Sequence, residues 1–378
     1  MDRQGFAVVS TMRNEGPFVL EWIAHQKALG FDDIVVCTND CEDTTSDILR
    51  ALQARGLVRH HATRIWPRAG IHRSALKQAR RYGEVQNAAW IFVCDVDEFL
   101  NIHVGDGSVR ALVEASGPDA DVISVPWRVF GPSGVRDFVD APVTAQFTWA
   151  ELPPDQRPGA GKFVKSLFTG LERFRRIGLH APIPTAEWEG RLRTVLPGGT
   201  PFIVDGQRTD APPSFAVAQV NHYALRSAEA FLVKRARGRA NHMSHVIGLD
   251  YWRRFELNDL PDHSIRRYDD RAATWREGLP GRPRVARAAR CRGQLVWQQD
   301  RGAARRPRSG RPCRRDRGRG RAGRRERCRR HHPRRLTPAG AAARRAVAGD
   351  IARRQAFGNA CGPPGGALPP LAPGAGLC

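Results

Sequence analysis

The sequence contains no lysine after Lys234 and only three cysteines in its first 270 residues. It also has no stretch approaching the roughly 18 apolar residues needed to span a bilayer. Each absence excludes something. Without a long apolar run, no membrane-spanning segment is expected. Cys37, Cys41 and Cys94 lie inside or beside apolar runs, where free cysteine behaves as a small buried hydrophobe, so a disulfide framework is not expected. The first apolar stretch, Phe6 to Val9, is too short for a secretory leader and runs at once into charged residues. A cytoplasmic body is the expectation, with peripheral attachment at the inner face of a membrane left open.

Basic residues are abundant but unevenly placed. The chain carries 61 Lys plus Arg against 38 Asp plus Glu, a net charge of +23. Up to Asp270 there are 33 of each, which leaves 28 basic and 5 acidic residues for Arg271 to Cys378. A charge excess that stops at one position is not the footprint of a chain that coats nucleic acid along its length. No nucleic acid is expected to bind residues 1–270.

Residues 271–378 hold 28 Arg and no Lys, 16 Gly and 11 Pro, and neither helical nor strand periodicity persists there. Gly and Pro at that level mark an aperiodic segment as disordered. Cys313, Cys328 and the other late cysteines lack paired short spacing, so no zinc site is expected. Arg317-Gly-Arg-Gly-Arg321 could bind RNA or another anionic surface through phosphate contacts. The composition is also what GC-rich DNA gives when translated out of frame, and we read the tail as disordered or frameshifted from about codon 270.

The body has a different texture. Phe6–Ser10, Ile34–Cys37, Leu57–Val58, Trp90–Cys94 and Val122–Val125 read as short buried strands. Between them, Phe18 to Leu29 carries a helical apolar stripe ending at Gly30. Thr44 or Thr45 can cap a second helix with Ile48, Leu49 and Leu52 on one side, before Gly56. Strand, helix, strand at this spacing predicts an α/β fold with a mostly parallel sheet covered by helices on both faces. From Gly131 to Pro213 the pattern loosens, with strand-like pieces at Phe163–Phe168 and Phe202–Val204. A helix is predicted over Ala228–Arg239. The expected organisation is a βαβ half over 1–130, completion of the same domain over 131–270, and the tail.

In open sheets of this kind, ligands bind beyond the carboxyl ends of the strands. The polar residues stand there: Thr11, Arg13, Asn14 and Glu15 after the first strand, Thr38, Asn39 and Asp40 after the second, Asp95, Asp97 and Glu98 after Trp90–Cys94. Carboxylates at i and i+2, on a chain just leaving a sheet, can share one hard cation such as Mn²⁺ or Mg²⁺ and so neutralise a diphosphate leaving group. An isolated Asp-x-Asp is more often a solvated turn; its place on a shared rim favours the chemical reading. Phosphatases of the haloacid-dehalogenase type also use Asp-x-Asp, but on their first strand, followed closely by Thr or Val, whereas here it follows the fourth and leads into Glu98-Phe99.

Several motifs together resemble the GT-A glycosyltransferases of family 2 and its relatives, in particular the bacterial branch whose metal motif reads Asp-x-Asp-Glu-Phe. They are Met12-Arg-Asn-Glu15, Glu21-Trp-Ile-Ala-His25, Gly30-Phe-Asp32, Thr38 to Thr45, Trp90 to Leu100, His222-Tyr223, Ser227, Phe231, Lys234, Arg237-Gly238 and Phe255 to Ile265, covering roughly residues 5–270. The resemblance implies a nucleotide-diphosphate sugar donor, a divalent metal, a glycan or lipid-linked acceptor and transfer with inversion. It places Asp95 and Asp97 on the metal and on the ribose or diphosphate, and Asn14-Glu15 and Asn39-Asp40 at the nucleotide. The commoner pattern has two acids where this chain has Thr38 and Asn39. His222 matches a third metal ligand, its alternative being a core histidine. Lys234, Arg237 and Arg239 share a helix and face a diphosphate or solvent; Lys162 and Lys165 carry the same ambiguity. The general base that inversion requires is expected at Asp259 or Asp262, with Glu187 and Glu189 behind them, although the first two can equally cap a turn around Pro261. Trp127, Trp149 and Trp188 are candidates to stack on an acceptor sugar or to be core.

Overall fold

A computed structural model describes residues 5–66, 70–205, 208–209, 212–237 and 247–279. The tail from 280 onward, including the Arg317–Arg321 run, and Arg239 lie outside the described residues.

The first half alternates as its sequence pattern requires: β1 (Phe6–Met12), α1 (Val19–Ala28), β2 (Asp33–Thr38), α2 (Thr45–Gln53), β3 (Arg59–Ala62), α3 (Ile71–Ala79), the short α4 (Gly83–Gln86), β4 (Trp90–Val93) and β5 (Glu98–Ile102). Gly30 and Gly56, at φ of +90° and +69°, take the left-handed conformations that stop the two helices before them. In α2, Ile48, Leu49 and Leu52 are buried against the sheet, each contributing about 1.5–3 kcal/mol of apolar burial. The strand expected at Leu57–Val58 is displaced to Arg59–Ala62, because the chain must first complete the turn at Gly56 before it can align with Val35–Thr38.

In its later described residues the chain adds four strands to the same sheet and three separate two-stranded sheets. It runs through α5 (Val109–Ser116), β6 (Val122–Val129), α6 (Val143–Gln146), β7 (Trp149–Ala150), β8 (Val164–Thr169), β9 (Phe174–Arg176), β10 (Ile183–Pro184), β11 (Thr194–Val195), β12 (Val204–Asp205), β13 (Arg208–Thr209), β14 (Ala218–His222), α7 (Ala228–Arg237), α8 (Leu249–Phe255), β15 (Leu260–Pro261) and α9 (Asp269–Gly278). Where a strand was expected at Phe202–Val204, the two-residue β12 pairs with β13. Helix α9 crosses the compositional boundary at Asp270, and Leu279 beyond it joins the main core.

The main sheet runs β3-β2-β1-β4-β8-β6-β14-β5, with β11 paired to β6. It is a mixed, mostly parallel sheet in an α/β fold. Pairings are parallel from β3 to β4, antiparallel at β4–β8 and β8–β6, parallel at β6–β14 and antiparallel at β14–β5. These directions fix where chemistry can gather. The carboxyl ends of β1, β2, β4, β6 and β14 and the starts of β8 and β5 all lie along one rim. Two cores, one on each face, hold the sheet: Trp22, Ile23, Phe92 and Phe99 belong to one, Val9, Val35, Ala75 and Phe168 to the other. Among the described residues, no helix is long and apolar enough to cross a membrane.

Candidate active site

The acids after β4 are locked into a tight turn before β5 begins. Glu98 is buried and accepts from the Asp95 backbone N–H at 2.9 Å, while its own N–H donates to the Asp95 carbonyl at 3.1 Å. The Asp97 carbonyl receives the Tyr223 N–H at 2.8 Å, which ties the turn to the end of β14. Asp95 and Asp97 therefore emerge beyond the sheet while Glu98 faces inward.

Two lysines meet these acids. Lys165, fully buried near the start of β8, reaches Asp95 Oδ2 at 2.9 Å and Glu98 Oε2 at 3.0 Å. Burial alone would lower its pKa; Asp95, then Glu98, raise it instead, so its ammonium is permanent. Lys234 on α7 donates to Asp97 Oδ2 at 2.7 Å and to the Ala224 carbonyl at 2.8 Å. Burial pushes the Asp97 pKa up, but the Lys234 charge, followed by His222 and Arg226, outweighs it and holds the carboxyl well below its usual range. Glu98 moves the other way: burial raises its pKa more than Lys165 lowers it.

His222 closes the far side. Its Nε2 lies 3.9 Å from Asp97 Oδ2, and burial lowers its pKa to about 4, leaving the ring neutral and able to ligate. Ligand atoms of Asp97, Glu98 and His222 all lie within 4.8 Å of one another. Glu98 Oε1 and His222 Nδ1 are buried without hydrogen-bond partners. Oxygen and imidazole donors with unspent lone pairs fit Mn²⁺ or Mg²⁺. Asp95 and Asp97, the two acids expected on the metal, each have one oxygen engaged, by Lys165 and Lys234 respectively; among the described residues the group within 4.8 Å comprises Asp97, Glu98 and His222.

The nucleotide-side residues also converge. Asn14 and Asp40 adopt left-handed φ of 54° and 44°, and Asn14 Oδ1 accepts the Glu42 N–H at 2.7 Å, joining the loops after β1 and β2. Asn39 is buried with its Nδ2 unpartnered, and Asp40 is exposed. Thr11 Oγ1 meets His72 Nδ1 at 2.8 Å. Glu15 is 3.2 Å from Arg226, whose guanidinium also donates to the Val96 carbonyl at 3.1 Å and lies 3.6 Å above the Phe18 ring. Arg226, at φ of 59°, thus cross-links the β1 loop, the acid turn and the start of α7. Arg237 is the last residue of α7.

The expected bases sit elsewhere. Asp262 bonds Arg128 at 2.7 Å, Gln219 at 2.8 Å and Ser264 at 2.6 Å. Gln219 and Asn221 alternate with His222 along β14, so Asp262 lies across the sheet from the His222 side. Asp259 faces Arg157 at 3.4 Å and the Leu152 N–H at 3.3 Å, and Glu187 and Glu189 are exposed on a surface turn. Lys162 is exposed as well, unlike Lys165. Of the tryptophans, Trp127 stands on the rim, 4.2 Å from the His222 ring; Trp149 is 42% exposed on β7, and Trp188 lies under Arg173.

Sequence reasoning missed the pairing role of Lys165, together with His72, His180 and Arg226. A lone lysine within the apolar run Phe163–Phe168 was a usable signal, since a buried charge requires a partner. The others carry no local mark.

No family model matches this sequence. A family 92 glycosyltransferase protein of Ricinus communis is 27% identical over 157 residues, covering 39% of this chain and 27% of that protein. One of Oryza sativa subsp. japonica is 25% identical over 157 residues, covering 39% and 25%. The chain spans about a quarter of the length of the curated relatives it matches. Among solved structures, residues 1–349 of S. aureus TarS align with a TM-score of 0.28 at 13% identity, over 44% of this chain and 47% of that one.

Proposed function

We propose that this chain is a glycosyltransferase of GT-A type, moving a sugar from a nucleotide-diphosphate donor to a glycan or lipid-linked acceptor with inversion. One observation carries the reading: the sheet directions bring Asp95, Asp97, Glu98, Lys165, Lys234 and His222 from five separate elements to one rim. The sequence relatives that bear a glycosyltransferase name support it. The run Asp95-Val-Asp97-Glu98-Phe99 favours the bacterial Asp-x-Asp-Glu-Phe branch near family 2, although those relatives carry the family 92 name.

Asp97, Glu98 and His222 would hold a divalent ion, which when bound supplies positive charge to a departing diphosphate. The chain's own residues do the rest. Lys234 presents its ammonium beside Asp97, where diphosphate charge would develop. Lys165 keeps Asp95 oriented and charged. Asn14, Glu15, Asn39 and Asp40 border the nucleotide, and Trp127 offers an apolar face to a sugar. A cytoplasmic location, with peripheral contact at the inner membrane face for a lipid-linked acceptor, belongs to the same proposal.

The test is to incubate the full-length chain with a panel of UDP-, GDP- and dTDP-sugars, with and without Mn²⁺, and to measure donor binding and hydrolysis. Binding and slow hydrolysis of at least one donor, both lost in Asp97→Ala, are expected. A protein that binds none, or binds one indifferently to Asp97→Ala, is not this enzyme.

A further inference from the structure

Resting on that reading, we infer that His180 is the general base that removes the proton from the attacking hydroxyl. Inversion needs a proton acceptor near the anomeric carbon on the side opposite the diphosphate. Asp262 and Asp259 are committed to Arg128 and Arg157, and Glu187 and Glu189 lie on an exposed turn. His180 has the chemistry that role requires and stands one aromatic ring from His222. Its Nδ1 is 2.9 Å from the Val164 carbonyl, which can only accept, so Nδ1 carries the hydrogen and Nε2 keeps its lone pair. No group among the described residues engages that Nε2.

The ring is placed firmly. A Cβ at Gly178 would lie 1.9 Å from the Ala181 carbonyl oxygen, so only glycine permits the turn that carries His180. On one side His180 packs against Trp127 at 5.2 Å between ring centroids, and the same indole meets His222 at 4.2 Å. The candidate base and the candidate metal ligand thus flank one aromatic surface. The charged and titratable groups around His180 are Lys165 from β8, Asp95 from the turn after β4 and His72 from α3. Burial first, then Lys165, lowers its pKa to about 4 in the free protein, so the ring is neutral at physiological pH. A bound diphosphate adds negative charge nearby and raises that value, making His180 a stronger base when the donor is present.

In the step, Nε2 takes the proton of the acceptor hydroxyl while that oxygen bonds to the anomeric carbon. The bond from that carbon to the diphosphate oxygen breaks, and its electron pair leaves with the nucleotide diphosphate. Water replaces the hydroxyl in donor hydrolysis, with the same bookkeeping of proton and electrons.

The experiment uses full-length wild type, His180→Asn and His180→Ala with the nucleotide sugar that wild type hydrolyses, plus UDP or GDP binding by calorimetry. The expected result is a 10²- to 10⁴-fold fall in kcat with nucleotide Kd changed less than threefold. Free imidazole should partly restore His180→Ala. In wild type, the acid limb of kcat should lie at higher pH than that of kcat/KM, a readout that needs no variant to fold. A variant kcat within threefold of wild type, a loss matched by lost nucleotide binding, or a wild-type kcat without an acid limb overturns the assignment. If wild type hydrolyses no nucleotide sugar, the glycosyltransferase reading fails and the base role with it. An active wild type beside an equally active His180→Asn removes His180 alone.

Discussion

Lys234 and Asp97 stand 137 residues apart in the chain and 2.7 Å apart in space. The pair joins α7, which also touches the loop at Ala224, to the turn that follows β4. A lysine so placed can hold the carboxylate in the free protein and turn to phosphate oxygens when a donor arrives. Lys234→Met is expected to lower kcat/KM for donor hydrolysis by about 10²- to 10³-fold, the range for removing one charge-stabilising donor. The loss should fall on kcat more than on KM, read from initial rates over a range of donor concentrations.

Lys165 has no such freedom, because it is fully enclosed between two carboxylates. Lys165→Met leaves a buried acid without its cation and is expected to cost about 3–5 kcal/mol of stability. Denaturant melts should show Lys165→Met/Asp95→Asn to be more stable than Lys165→Met alone, since Asp95 is the partner held in its charged form by Lys165 and the second change removes that orphaned charge. A double variant weaker than the single one would mean that the pair is not the dominant interaction.

Arg226 holds its strained backbone because three partners surround its guanidinium: Glu15, the Val96 carbonyl and the Phe18 ring. Arg226→Ala should destabilise the fold by about 2–3 kcal/mol, as loss of charged hydrogen bonds does. Arg226→Lys should recover only part of that stability, because a single ammonium cannot serve Glu15 and Val96 as a planar fork does; urea midpoints in the order wild type, Arg226→Lys, Arg226→Ala are expected.

His25 supplies a pH test away from the rim. Its ring packs against Phe99 and Tyr268, its Nε2 meets the Leu100 carbonyl at 2.8 Å, and burial lowers its pKa to about 4. The unfolded chain takes up a proton near pH 6.5, and the folded one resists until about 4. The contribution is therefore complete above pH 6.5 and is lost as pH falls toward 4, on the order of 3 kcal/mol for this residue. Urea midpoints measured from pH 7.5 to 4.5 should fall, and His25→Gln should make the slope shallower over that window, leaving the part that His180 and His222 contribute.

Most of the first half was legible in the sequence. Continuous apolar runs at Ile34–Cys37 and Trp90–Cys94, separated by helical stripes that end at Gly30 and Gly56, leave few alternatives to a buried parallel sheet. The acid turn was legible for the same reason: its position after a strand is a local property. What could not be read is everything set by long-range strand order. That β8 enters between β4 and β6, bringing Lys165 to Asp95, depends on pairing across 70 residues, and no local pattern records it. The face of β14 from which Gln219 engages Asp262 is likewise a matter of register, which separates that acid from His222. His180 owes its place to a turn at Gly178 whose tightness shows only in three dimensions.

Helix α9 runs to Gly278, and Leu279 is packed into the main core with Ile265 and Tyr268. The amino-acid composition changes at Asp270, yet folded, core-directed polypeptide continues about one helix further. For the gene, this moves the place to look. If the arginine-rich tail arises from a shifted reading frame, the inserted or deleted base belongs downstream of codon 279, and resequencing there in independent isolates is what would find it.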